Sequence, residues 1–359
     1  MNPALASGSS YRSGGDALGL CRVLEPIGML PQAAERVDNQ LPPYASEVWL
    51  DVETLNIDAA SFVQLEATEK AGGPPVDRQI LDIIAVRGKM QNPVTGSGGM
   101  LLGRVKALGP DYTGPLAGVP LGTRVATLVS LTLTPLHLDR IVELRPQAHQ
   151  VVVQGRAHLP SSAPIAVLPE DFPDALALSI LDVAGAPALV DRWVKHLPQG
   201  GSLLVIGAGK AGILSLAAAR KARPDLKLFA IDYHQASVDA VLAAGLCDHG
   251  LALDATRAID VRAAAHQWTA GQGMDAVVNM ASLPGTEMAT ILAAKSRALC
   301  LFFGMATSFT RVALGAEGVG ADVDLLIGNG YAIGHADFAL DLVRAMPAVR
   351  DLLVRRFAA

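Results

Sequence analysis

Polar and apolar positions alternate from Glu47 to Thr54 (Glu-Val-Trp-Leu-Asp-Val-Glu-Thr), the period-2 pattern of a half-buried strand. Asn56 or Asp58 can then cap a helix that reaches Glu69 and is stopped by Gly72-Gly73-Pro74-Pro75. A second amphipathic helix is predicted from Asp77 to Lys89. Beyond a glycine-rich turn at Thr95–Gly99, short β-like runs (Met100–Leu108, Arg124–Leu133, Arg140–Val142) are separated by Gly and Pro clusters, as in a small, mostly antiparallel β domain. Near Pro169 the pattern changes. Helical segments now alternate with apolar strands at Leu203–Gly207, Leu228–Asp232, Gly250–Leu253, Ala276–Met280 and Ala298–Phe303, with a sixth candidate at Tyr331–Gly334. That alternation requires a parallel sheet covered on both faces. The expected architecture is therefore α/β: a β-rich domain over residues 20–168, then a doubly wound parallel sheet over 169–336. A helical segment (337–359) follows, and a Ser/Gly/Ala-rich arm over Met1–Gly19 is expected to be loose.

Composition narrows the class. A chain of 359 residues suits two domains at roughly 100–200 residues each. With 51% hydrophobic and 18% charged residues it is an ordinary, rather apolar globular protein. A net charge of −5 without a compact Lys/Arg run excludes a nucleic-acid partner, leaving a small molecule as the expected ligand. Cys21, Cys247 and Cys300 give neither a disulfide framework nor a metal knuckle, and reduced cytoplasmic thiols follow. Met1–Leu20 lacks the charged and apolar regions of a secretory signal, and no apolar run approaches the ~20 residues of a membrane span.

Candidate chemistry begins at Gly201-Ser-Leu-Leu-Val-Ile-Gly207-Ala-Gly209-Lys210-Ala211-Gly212: an apolar strand, G-x-G-x-x-G, then a helix over Ile213–Ala222. Gly207 makes the tight turn, Gly209 lets a diphosphate approach the backbone, and Gly212 lets helix and strand pack closely. The opening helix offers amide hydrogens and a positive dipole end, and Lys210 stands either near the diphosphate or in solvent. Asp232, at the end of the next strand, is placed to accept from both hydroxyls of an adenosine ribose and to repel a 2′-phosphate, which favours NAD over NADP. A tight turn without ligand is the bland alternative. FAD, which uses the same fingerprint, usually has it near the N-terminus. Ligands of such sheets lie beyond the carboxyl ends of the strands. This selects Asn279-Met280-Ala281 and Gly304-Met305-Ala306 for the nicotinamide side, unless they are ordinary loops.

A β-rich domain followed by a Rossmann domain resembles the medium-chain dehydrogenases, whose first domain is GroES-like. Leu55–Ser61 (LNIDAAS), Gly88–Met100 (GKMQNPVTGSGGM) and Gly328–His335 (GNGYAIGH) resemble, more specifically, the L-erythro-3,5-diaminohexanoate dehydrogenase family, from about Leu20 onward. The resemblance implies NAD-dependent oxidative deamination at C3, giving 5-amino-3-oxohexanoate and ammonia. Against the zinc alcohol dehydrogenase pattern, Asp58 stands for a cysteine ligand, Ser61 for its supporting Asp, and Gly98-Gly99-Met100 for the Gly-His-Glu motif. No four-cysteine cluster is present, so no metal is expected. A carboxylate suffices to hold a substrate ammonium, take its proton and offset the iminium charge. Asp58, with Asn56 and Ser61 beside it, is the catalytic candidate, a helix cap being its alternative role. Thr95, Ser97 and the loop glycines could hold a substrate carboxylate or the nicotinamide carboxamide, with Asn92 positioning them. No two of the eight histidines have helical metal spacing. Two other functions share the architecture: a zinc-independent quinone or enoyl reductase using NADPH, and a non-catalytic NAD-binding redox sensor. A homodimer is expected from this superfamily's habit of pairing its last strand.

Overall fold

The computed structural model describes residues 11–128, 130–304 and 306–358. Met305 and the first ten residues of the expected arm lie outside them. The chain divides into two units, Met1–Glu170 and Asp171–Ala359.

In the first unit, β1 (Val23–Glu25) and β2 (Arg36–Val37) form a small antiparallel ribbon. The main sheet contains β3 (Glu47–Ile57), β4 (Gly99–Leu108), β5 (Arg124–Thr127), β6 (Leu136–Arg145), β7 (Gln150–Pro160) and β8 (Ile165–Val167). Its order is β6-β7-β3-β4-β5-β8, and every pairing is antiparallel. Between β3 and β4 lie α1 (Ala59–Lys70) and α2 (Val76–Arg87). Alternate residues of β3 and β7 (Val48, Leu50, Val52, Val151, Val153) join Phe62, Leu65, Ile80 and Ile84 of the helices in one core. Two expectations change. Arg124–Leu133 is not one strand: β5 stops at Thr127, and Leu131–Leu133 is a 3-10 turn. The whole of β7 escapes the period-2 reading because Gly155 and Arg156 interrupt it. Gly155 is required there, since a Cβ would meet the carbonyl oxygen of His137 on β6 at 2.3 Å.

Nor is the described part of the arm loose. The Arg12 amide donates to Pro43 O at 2.9 Å and its guanidinium pairs with Asp38. Asp16 accepts from the amides of Leu18, Leu20 and Cys21. Behind this segment Arg22 and Glu47 form a buried ion pair at 2.6 Å.

The second unit opens with α3 (Asp174–Leu181) and α4 (Gly185–Val194). Strands and helices then alternate: β9 (Ser202–Ile206), α5 (Lys210–Ala222), β10 (Lys227–Asp232), α6 (Gln235–Ala243), β11 (His249–Ala252), α7 (Ala258–Trp268), β12 (Met274–Asn279), α8 (Glu287–Ala293), β13 (Ala294–Phe302), α9 (Phe309–Gly318) and β14 (Asp324–Ile327). The sheet is wholly parallel in the order β11-β10-β9-β12-β13-β14. The order reverses at β9, where the chain leaves in opposite directions to β10 and β12, and crevices for ligands form at such points. The sixth strand is β14, not Tyr331–Gly334, which is the loop leading to α10 (His335–Ala345). After α11 (Pro347–Leu353) the chain ends its described part in a π-helical turn, Val354–Ala358. These last elements pack on α3, α4 and α5 and so belong to this unit. All three cysteines are free, and burial raises the thiols of Cys21 and Cys247 to about 11 and that of Cys300 to about 12. Among the described residues no helix is long and apolar enough to cross a membrane.

Candidate active site

In the first unit the candidate residues gather where β3 ends and α1 begins. Asn56 and Ile57 pair with Met100 and Gly99 of β4. The approach is so close that a Cβ on Gly99 (φ 114°) would stand 2.0 Å from the Asn56 carbonyl oxygen, so only glycine fits. Asp58 occupies the position that starts α1, and its carbonyl receives the Phe62 amide. Its backbone donates to Gly98 O at 3.3 Å while its Oδ2 accepts the Gly98 amide at 3.1 Å. The carboxylate is thus fastened to the glycine-rich loop.

The Ser61 hydroxyl lies 2.6 Å from both the Thr95 Oγ1 and the Ser97 Oγ, which are 3.2 Å from each other. Ser61 is buried, Ser97 half-buried and Thr95 exposed, so three hydroxyls form a polar track from the interior to the surface. Each can donate one hydrogen and accept others, which suits a carboxylate or an ammonium. Asn92 is different. Its amide donates to Gln64 Oε1 at 2.7 Å, and its Oδ1 accepts from Val94 and Thr95, so this buried side chain shapes the loop. The Asn56 side chain accepts a long bond, 3.4 Å, from Gln150. One neighbour was not singled out from the sequence: His149, a non-glycine residue at φ 52°, accepts the Ile57 amide and sets its ring 5.3 Å from Phe62. A strained backbone of this kind carries no one-dimensional signal. Just before the loop, Lys89 is buried with its ammonium on the carbonyls of Pro31 and Gln32, and burial pushes its pKa down to about 8.

In the second unit the glycine turn has the expected mechanics. Gly207 lies at φ 97°. A Cβ on Gly212 would stand 1.9 Å from the Gly207 carbonyl oxygen, whereas one on Gly209 would meet nothing within 4 Å. Helix α5 starts at Lys210 with no side chain capping it, so amides from Gly209 to Gly212 have no partner within the helix. Asp232 Oδ2 accepts the Ala208 amide at 2.7 Å and Oδ1 the His234 amide at 2.9 Å. Two of the roughly four acceptor positions on a carboxylate are thereby used.

Two sequence candidates have their side chains bonded within the protein. Lys210 pairs with Asp182 at 2.6 Å, directed to the end of α3. Asn279 is fully buried: its amide donates to Thr286 and Thr290, and its Oδ1 accepts from the Ala281 amide. It holds the loop after β12 in place. Met280 lies buried in that loop, and Gly304 in the loop after β13 sits so close that a Cβ would meet Ala281 O at 2.3 Å. A further residue, unanticipated from the sequence, is Arg356, whose guanidinium donates to Ala208 O at 2.8 Å and to Ser237 Oγ at 2.9 Å. Among the described residues no group of three or more His, Cys, Asp or Glu side chains is assembled as metal ligands would be.

Solved structures with this architecture define the class. A mycobacterial quinone oxidoreductase is 20% identical with a TM-score of 0.52, covering 91% of this chain and 94% of that one. An alcohol dehydrogenase from Thermotoga maritima is 12% identical with a TM-score of 0.54, covering 88% and 85%. The fold is that of the medium-chain dehydrogenases and reductases. Sequence goes further. Residues 21–169 match the family of the L-erythro-3,5-diaminohexanoate dehydrogenase N-terminal domain. Relatives named L-erythro-3,5-diaminohexanoate dehydrogenase come from Acetoanaerobium sticklandii and Fusobacterium nucleatum subsp. nucleatum. The first is 40% identical over 94% of this chain and 98% of its own, the second 40% over 93% and 96%. The chain belongs to the L-erythro-3,5-diaminohexanoate dehydrogenase family.

Proposed function

We propose that the protein catalyses oxidative deamination of L-erythro-3,5-diaminohexanoate at C3, forming 5-amino-3-oxohexanoate and ammonia, with NAD as its cofactor. What carries the reading is the 40% identity, over nearly the whole chain, to relatives bearing that name. A nicotinamide dinucleotide fits the second unit: there is room over Gly209, the amides opening α5 lack helical partners, and Asp232 retains acceptor positions for a ribose. A related fold, from a mycobacterial protein complexed with NADPH, supports the nicotinamide class. Asp232 favours the dinucleotide without a 2′-phosphate.

When bound, the oxidised nicotinamide supplies the acceptor for the hydride leaving C3. Asp58 takes a proton from the C3 ammonium, which frees the nitrogen lone pair that drives hydride loss. After passing that proton to solvent, the Asp58 carboxylate, held by the Gly98 amide, offsets the iminium charge, takes a proton from the water that adds to C3, and returns it to the nitrogen as ammonia departs. Ser61, Thr95 and Ser97 hold the substrate carboxylate through their hydroxyls. Asn92 and Asn56 keep loop and strand in register around them.

The test is NADH formation by the purified protein with L-erythro-3,5-diaminohexanoate, set beside alcohols, quinones with NADPH, and 2-enoyl substrates. Turnover of the diamino acid with NAD is expected. Turnover of a quinone or enoyl compound instead would replace this reading by the reductase, and tight NAD binding without any turnover would favour a redox sensor.

A further inference from the structure

The peptide on either side of Ala208 is held by a different side chain. The Ala208 amide donates to Asp232 Oδ2 at 2.7 Å, and the Ala208 carbonyl accepts from Arg356 Nη1 at 2.8 Å. Both peptides are trans, so in each the C=O and N–H point in opposite directions. Fixing the Ala208 amide therefore directs the Gly207 carbonyl the other way, towards the underside of α5, where a Cβ on Gly212 would stand 1.9 Å from it. Fixing the Ala208 carbonyl likewise directs the Gly209 amide, and the Gly209 amide belongs to the open end of α5.

We propose that Arg356 is a positioning residue for the dinucleotide: by gripping the Ala208 carbonyl it aims the Gly209 amide at the diphosphate. This deepens the nicotinamide reading above and rests on it. Arg356 is suited to the task because its planar guanidinium spans two groups at once, the Ala208 carbonyl and the Ser237 hydroxyl on α6. Its Cζ lies over the Phe357 ring, 5.0 Å from the centre, a cation–π contact. Its grip joins the glycine turn after β9 to the helix after β10, the two elements that flank the adenosine half of a dinucleotide in this type of sheet. Asp232 sets one peptide and touches the ligand; Arg356 sets the next and acts through the backbone.

Calorimetric titration of the full-length protein with NAD and with ADP, beside steady-state kinetics and Tm, tests this on Arg356→Ala and Arg356→Lys. Arg356→Ala should weaken NAD and ADP by the same factor, roughly tenfold, as expected for weakening one amide hydrogen bond to an anionic diphosphate. The KM for NAD should rise with it, while kcat at saturating NAD stays within about twofold, since no reacting atom is touched. Arg356→Lys should recover part of the affinity, because an ammonium can still hold the Ala208 carbonyl. Unchanged affinity of Arg356→Ala for both ligands overturns the proposal; so does a loss that falls on kcat and Tm but not on KM, the mark of a merely structural residue. Should Arg356→Ala fail to fold, Arg356→Lys and Arg356→Gln carry the same comparison. Failure of the wild-type protein to bind any dinucleotide would instead remove the nicotinamide reading itself.

Discussion

Gly212→Ala is the most direct probe of the glycine turn. The added methyl would lie 1.9 Å from the Gly207 carbonyl oxygen. Comfortable contact between such atoms is about 3.5 Å, so either the carbonyl or the helix must move by about 1.5 Å. The carbonyl is not free to yield: the Gly207 amide is bonded to Ile231 O at 2.7 Å, and the next amide to Asp232 at 2.7 Å. Helix α5 must therefore lift, at a cost of about 1–3 kcal/mol for an overpacked site. For a unit of this size that is a fall in Tm of roughly 2–12 °C. Because the amides opening α5 are displaced with it, NAD affinity should drop by at least about tenfold, the worth of about one weakened hydrogen bond to a charged group. Gly209→Ala is the control: its backbone is at φ −77° and its Cβ meets nothing within 4 Å, so Tm should hold while affinity falls. Scanning calorimetry and isothermal titration measure both. A Gly212→Ala protein with wild-type Tm and wild-type NAD affinity would refute the argument.

Asp232→Ala should weaken NAD binding and relax discrimination against NADP, as read from the two dissociation constants; equal changes for both cofactors would remove Asp232 from specificity. Asp58→Asn should lower kcat by about a hundredfold or more with little change in NAD affinity, whereas near-normal turnover would leave Asp58 as loop scaffolding. His158 is fully buried and, among the described residues, neither ring nitrogen has a hydrogen-bond partner; burial, then Arg22, Arg156 and Arg12, hold its pKa well below 6.5. Its neutral form thus contributes stability that is complete above pH 6.5 and lost as pH falls towards the folded-state pKa. His158→Phe should flatten that loss and raise stability near pH 7 by about 1 kcal/mol, measured as urea midpoints across pH 5–8. An unchanged acid limb would shift the effect to other groups.

Five of the six strands of the second unit were legible because each is a short apolar run ended by glycine, asparagine or aspartate; the sixth, β14, was missed, the run at Tyr331–Gly334 being the loop that leads to α10. The β-rich unit was harder to read. In β7 a glycine interrupts the alternation for a reason visible only on the neighbouring strand. Asp58 and Ser61 were singled out from the sequence for one reason and Thr95 and Ser97 for another; the hydroxyl contacts at 2.6 Å that join Ser61 to Thr95 and Ser97 had no signal there. Asn279 and Lys210 were candidates by position, yet their partners, Thr286, Thr290 and Asp182, come from tertiary packing. Arg356 had no signal at all: an arginine in a closing turn reads as solvated.

The bond from Arg356 to Ala208 joins positions 148 apart. A contact of such span forms only after most of the intervening chain has been ordered, because loop closure must be met before the bond contributes. The glycine turn can thus be built early while its final shape comes late. Occupancy by a nucleotide would then slow the reopening of this last junction, so protease resistance of the closing turn should rise with cofactor concentration, a reciprocal effect required by linkage.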